Sequence, residues 1–137
     1  MPLEERTSED LANFRLNQAV KCLQSAQRGL AADDFADAAN RSYYCIFHAM
    51  RAVQALDRFD SKKHSGVIDN FRKNYIKTEI FSHDFSDIIG DAFKIRLESD
   101  YEDFYVVSKN KVTVQVENAK AFLETVEKYI GERIQSA

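Results

Sequence analysis

Proline occurs once in this chain of 137 residues, at position 2, and glycine only four times. An interior so nearly free of helix breakers permits long helices. The apolar residues repeat with the matching period. Leu16, Ala19, Leu23, Ala26 and Leu30 alternate spacings of three and four, as one face of a helix requires. Val116, Ala119, Leu123, Val126 and Ile130 do the same near the other end. The expectation is an all-α chain, and the elements can be placed one by one.

The first helix is expected from Ser8, its N-cap, to about Ala32, with Glu9 and Asp10 in the first turn where they favour the helix dipole. The second runs from Asp34 to about Arg58. Its middle, Tyr43 to Met50, is apolar on nearly every side, which places it centrally or under a partner. A third starts between Ser61 and Ser65 and reaches about Lys77, with Val67, Ile68, Phe71 and Tyr75 as its stripe. Phe85, Ile88, Ile89, Ala92 and Phe93 mark a fourth, running towards Ser99. Residues 101–111 read as a connector with Asn110 as a turn residue, and the alternation Val112, Val114, Val116 is open between a strand and a helix start. The last helix is expected to fray over Gly131 to Ala137. Short connections make this an antiparallel bundle. With no internal repeat, linker or low-complexity stretch, residues 1–137 read as one domain.

Other features narrow the function. No run approaches the ~18 apolar residues of a membrane span. The opening Met1-Pro2-Leu3-Glu4-Glu5-Arg6 lacks the apolar core of a signal peptide. Cys22 and Cys45 lie in apolar helical patterns as free buried thiols, which fits a cytoplasmic chain. No Cys/His cluster has zinc spacing, and the acidic run Glu98, Asp100, Glu102, Asp103 reads as a solvated face, so neither metal nor cofactor is expected. The net charge of −3 argues mildly against a generic nucleic-acid binder. It is unevenly spread. Arg58 to Lys77 holds six Lys/Arg against two Asp, while Glu79 to Asp103 holds eight Asp/Glu against two Lys/Arg.

Arg41 and His48 stand seven residues apart on the second helix, almost two turns, and so share a face about 10.5 Å apart along the axis. Tyr44 and Cys45 lie between them, and the small Ala52 and Ala55 continue the stripe, a surface that a second helix can approach. The pair suits RNA cleavage. An imidazole can take the proton of a ribose 2′-OH or protonate a leaving oxygen, and a guanidinium can stabilise the extra charge of a phosphorane, without metal. An Arg and a His at this spacing also arise as ordinary structural residues. His64 reads as a capping or surface residue, His83 as solvated, Arg96 and Asp100 as an i,i+4 ion pair, and Tyr43 and Tyr44 as core or interface aromatics.

The stretch Asn40 to Ala49, with Arg41 and His48 in the pattern Arg-x6-His, resembles the central helix of the HEPN family. The helix entry Asp34 to Ala39, the segment Lys63 to Ile68, and Arg96-x-x-Ser99-Asp100-Tyr101 resemble further family features, so the likeness spans roughly Ser8 to Ile130. The resemblance implies a four-helix up-and-down bundle with an added helix, commonly a homodimer, often encoded beside a minimal nucleotidyltransferase. It also implies two functions. One is a metal-independent endoribonuclease, the toxin-like half of a toxin–antitoxin module with a nucleotidyltransferase antitoxin, cutting RNA with Arg41 and His48 at the dimer interface. The alternative is a non-catalytic module that binds a nucleotidyltransferase or a nucleotide. Two positions depart from the pattern. Ser42 follows the Arg where active members often carry Asn, Asp or His, and Met50 stands where some toxins carry a Tyr that the partner modifies with AMP. On the first reading, a charge placed at Ala52 should weaken the dimer.

Overall fold

The computed structural model describes residues 3–101 and 106–136, with side chains from residue 7 to 100 and again from 106. Five α-helices follow in order: α1 Leu3–Ala31, α2 Phe35–Leu56, α3 His64–Phe71, α4 Asp84–Tyr101 and α5 Lys109–Ser136. A π turn, Arg72–Ile76, extends α3. No strand occurs among the described residues.

The α1–α2 hairpin is drawn tight by small residues. Ala12, Ala19 and Ala26, seven apart on α1, have no exposed surface, nor do Ala38, Ala49 and Ala52 on α2. At the turn, a Cβ on Gly29 would stand 3.3 Å from the Ala38 nitrogen and the Asp34 oxygen, so the close approach of α1 to the start of α2 favours glycine there. Asp33 takes the left-handed conformation, φ 58°, and the Asp34 N–H closes on the Gly29 carbonyl at 2.8 Å. The Asp34 carboxylate then accepts the Asp37 N–H and caps α2.

The centrality expected of α2 holds. It packs against α1, α3, α4 and α5, and its buried residues run almost without a break from Ala38 to Ala55. Around it the core gathers Phe71, Phe81, Ile89, Phe122, Leu123 and Ile130, with every expected stripe residue of α3 and α5 inside. Phe81, Phe71 and Phe122 meet at ring distances of 5.3 to 6.2 Å, tying the α3–α4 connection to α5.

Several expectations change. The valine alternation before Val116 is helical, because α5 begins at Lys109. Ser108 caps it, its Oγ accepting the Lys111 N–H at 3.2 Å, so Asn110 lies in the first turn instead of a loop. Of the expected connector, residues 102–105 lie outside the described residues. Nor does the chain fray from Gly131. The Arg133 guanidinium grips Asp57, at the end of α2, through two hydrogen bonds of 2.9 and 3.0 Å, and α5 continues to Ser136. The stripe drawn through Arg41 and His48 is also divided. Cys45, Ala52 and Ala55 belong to the core, and the small residues that were to receive another subunit already pack within this chain. A charge at Ala52 would disrupt the fold itself, and so cannot report on a dimer.

Candidate functional site

With α2 covered by four neighbours, one strip along its middle stays partly open, and it carries Arg41, Tyr44, His48 and Arg51. Spacings of three, four and three keep these side chains adjacent on the helix surface. The Arg41 guanidinium lies 5.2 Å from the Tyr44 ring centre and donates from Nε to Asn40 Oδ1 at 3.0 Å. The His48 ring sits 6.0 Å from Tyr44 and 5.9 Å from Phe47. Among the described residues, no protein group hydrogen-bonds to His48. Both expected site residues therefore do share one open face.

Three other helices bring polar groups to this strip. From α1, Arg15 is almost wholly buried, donates to the Arg51 carbonyl at 3.1 Å and pairs with Asp60 at 3.4 Å. Asp60, in the turn after α2, also accepts from Arg51 at 2.9 Å, so one carboxylate holds two guanidiniums beside His48. From α4, Arg96 lies 5.5 and 5.6 Å over the Tyr43 and Tyr44 rings and pairs with Asp100 at 3.2 Å, as its spacing implied. From α3, His64 stacks on Phe47 at 4.2 Å and shares a 2.7 Å hydrogen bond with the Tyr43 hydroxyl.

This crowd sets the protonation of the histidines. Burial, then the charges of Arg51, Arg41 and Arg15 and the neighbouring His64, pull the His48 pKa down to about 4. His64 is lowered in the same direction, by burial first and then by Arg96 and Arg51. At neutral pH both rings are uncharged, and His48 is able to accept a proton.

The sequence presents His64 as a capping or surface residue and Arg96 as half of an ion pair; that His64 neighbours His48, and that Arg96 lies over Tyr44, is not legible in it. His64 is 16 residues from His48 in the chain and comes to the site only because α3 packs on α2. The signal available was the basic bias of Arg58 to Lys77, too coarse to single out one residue. Tyr43 is core, as expected, with no exposed surface. Ser42, the residue following the motif arginine, points away from the strip. It is buried, donates to the Ala39 carbonyl at 3.0 Å and accepts from Gln115 of α5 at 2.7 Å. Met50 is likewise fully buried. His83 is exposed, 3.9 Å from Glu79. Among the described residues no three His, Cys, Asp or Glu side chains converge as a metal site, and no helix is long and apolar enough to cross a membrane. A cleft of about 520 Å³ opens between α4 and α5, lined by residues that include Ile88, Ile95, Val114 and Gln115.

Comparison with known proteins bears on the family. The family model of the HEPN domain matches residues 12–129. A protein of Methanocaldococcus jannaschii described as a "putative toxin" is 26% identical over 128 residues, covering 93% of this chain and 86% of its own length. A UPF0332 protein of Thermotoga maritima is 26% identical over 122 residues, 89% of this chain and 92% of its own. A UPF0332 protein of Archaeoglobus fulgidus is 28% identical over 120 residues, 84% and 91% respectively.

Proposed function

The chain belongs to the HEPN family, and from that premise we propose that it is a metal-independent endoribonuclease, the toxin-like member of a pair whose antitoxin is a nucleotidyltransferase. The observation that carries this reading is His48 itself. It is a neutral imidazole without a protein hydrogen-bond partner among the described residues, set among arginines on the one open strip of the central helix. A half-buried imidazole held uncharged among cations, with its nitrogens open to solvent or to a substrate, suits proton transfer at neutral pH.

The chemistry follows from these groups. His48 takes the proton of a ribose 2′-OH. The 2′-oxygen attacks the adjacent phosphorus, and the bond from phosphorus to the 5′-oxygen breaks. The 5′-oxygen leaves with a proton, in balance the one His48 collected, and the other product is a 2′,3′-cyclic phosphate. Arg41 faces the same strip, where its fork of donors suits the equatorial phosphate oxygens as their charge grows. The strip is open along its length, which fits assembly as a homodimer over this face. Sedimentation showing only monomer at tens of micromolar, enough to populate a roughly micromolar interface, would count against that assembly.

The test is cleavage of mixed single-stranded RNA by purified chain in EDTA, beside His48→Ala. Wild type should leave 2′,3′-cyclic ends, and the variant should lose at least ~10²-fold of the rate, the scale of losing a general base. Equal cleavage by both would sink the assignment. No cleavage by either, with the chain freed of partners, would favour the non-catalytic module that binds a nucleotidyltransferase or a nucleotide.

A further inference from the structure

His64 is held from one side only. Its Nδ1 meets the Tyr43 hydroxyl at 2.7 Å, and its ring lies nearly parallel to Phe47, at 26° and 4.2 Å. Among the described residues, nothing in the protein hydrogen-bonds to its other nitrogen. The ring is partly exposed and borders the same two aromatic rings as His48, with Tyr44 at 5.9 Å from His64 and 6.0 Å from His48. A histidine serving only to satisfy Tyr43 would need no place on this face.

Which nitrogen carries the proton follows from the tyrosine. Tyr43 has no exposed surface, and burial raises its pKa, so the phenol keeps its proton. The hydroxyl has no other hydrogen-bond partner among the described residues, so its proton goes to Nδ1, which leaves the ring hydrogen on Nε2. Burial and the charges of Arg96 and Arg51 keep the ring neutral. The outcome is an N–H donor, restrained by stacking, with Arg96 of α4 and Arg51 of α2 as its charged neighbours.

We propose that His64 is a second substrate-contacting residue of this site, presenting Nε2–H to a phosphate oxygen of a bound RNA strand, with Tyr43 as the positioning residue that fixes its tautomer. The inference rests on the phosphodiester reading of the Arg41–His48 strip and adds a donor from outside the family motif. No proton is transferred. A neutral N–H aimed at a phosphate oxygen contributes as a preorganised hydrogen bond, of the kind that holds developing oxyanions.

The experiment is nitrogen-15 NMR of the imidazoles in the full chain, free and titrated with a short 2′-O-methyl oligoribonucleotide, which binds without being cut. In the free chain His64 should be wholly the Nε2–H tautomer, and in Tyr43→Phe it should relax to the mixture of a free imidazole, with Nδ1–H newly populated. A free-state Nδ1–H tautomer overturns the proposal. On titration both His48 and His64 should shift. A shift at His48 alone overturns the role of His64 and leaves the phosphodiester site standing. A shift at neither removes both. Affinity gives a second readout. His64→Ala should weaken oligonucleotide binding about tenfold, the scale of a hydrogen bond to a charged group, and His64→Gln, which restores an N–H donor, should recover most of it. Equal binding by the alanine variant and the wild type, with both melting normally, refutes the contact.

Discussion

Two charged clusters sit along α2, and they differ in how they are closed. At its C-terminal end Asp57 accepts two hydrogen bonds from Arg133 and another from Tyr75, while Arg133 also donates to Tyr129 at 3.1 Å. The π turn, the end of α2 and the end of α5 are thereby joined through groups that satisfy one another. Along the middle of α2 the arrangement is lopsided. Arg15 and Arg51 share the single carboxylate of Asp60, Arg41 has only the neutral amide of Asn40, and His48 has no hydrogen-bond partner among the described residues. Both clusters are polar and partly exposed. The first spends its hydrogen bonds inside the chain and acts on stability. On the proposed reading the second keeps its donors for a bound substrate, as a binding or catalytic surface does and a structural clasp does not.

An exchange of losses is the strongest way to break that contrast. Arg41→Ala should lower RNA cleavage by about 10²-fold and change unfolding free energy by no more than ~0.5 kcal/mol. Arg133→Ala should leave cleavage intact and cost about 1 kcal/mol of stability, the low end for a hydrogen-bonded pair since Asp57 and Arg133 are both substantially exposed. Urea unfolding and a cleavage assay on the same samples read both. If Arg133→Ala abolishes cleavage in a well-folded sample, the two clusters are not separate in role.

Acid should affect the two clusters in successive windows. His48 is folded with its pKa near 4 against an ordinary 6.5, so the unfolded chain binds the proton more readily. Stability from this group is complete above pH 6.5 and is lost as pH falls towards 4. His64, lowered in the same direction, adds to that loss. For Asp57, partial burial opposes the charge, but hydrogen bonds from Arg133 and Tyr75 outweigh it and hold the carboxyl below its ordinary 3.8. Its contribution is present above that value and is lost only as pH falls further, through the folded pKa. Urea midpoints at pH 7, 5 and 3.5 should show His48→Gln losing less stability than wild type between pH 7 and 5. The deficit of Asp57→Asn should hold at pH 7 and 5 and begin to narrow only in the most acid sample. Parallel curves for all three proteins would contradict the assignment.

The smallest expected effect is a control. His83 is exposed at the start of α4, and His83→Ala should alter neither cleavage nor melting beyond ~0.5 kcal/mol. A loss of cleavage there would mean that the relevant histidine lies outside the strip.

Most of the bundle was legible because it is written locally. The three-and-four stripes of α1, α3, α4 and α5 depend on residues a turn apart; the structure buries most of them and packs the rest, Leu16, Leu30, Phe85, Ile88 and Phe93, half-buried against the core. The site was legible by halves. At 100° per residue, Cys45 and Ala52 lie about 40° and 20° to one side of Arg41, and Tyr44 and Arg51 about 60° and 80° to the other. The helical wheel gives these angles but not which side a neighbour covers. The covered side is that of Cys45, whose Sγ lies 4.0 Å from the Ala119 carbonyl of α5. His64 and Arg15 reach His48, and Arg96 reaches Tyr44, through packing between helices apart in sequence, which no local pattern encodes. The continuation of α5 past Gly131 likewise rests on Arg133 meeting Asp57, 76 residues away.

The confinement of polar chemistry to one open strip of an otherwise buried helix also bears on descent. Changing Tyr43, Ile46 or Met50 damages the core, because each has no exposed surface. Changing Arg41, Tyr44 or His48 removes side chains that lean on the bundle without filling it. If the strip carries the proposed reaction, a lineage is free to discard it in one or two substitutions and keep a stable scaffold, available for a partner or another ligand. Selection on folding alone preserves the interior of α2 and is nearly blind to its strip, so relatives that share this architecture at about a quarter identity are expected to diverge first along that line.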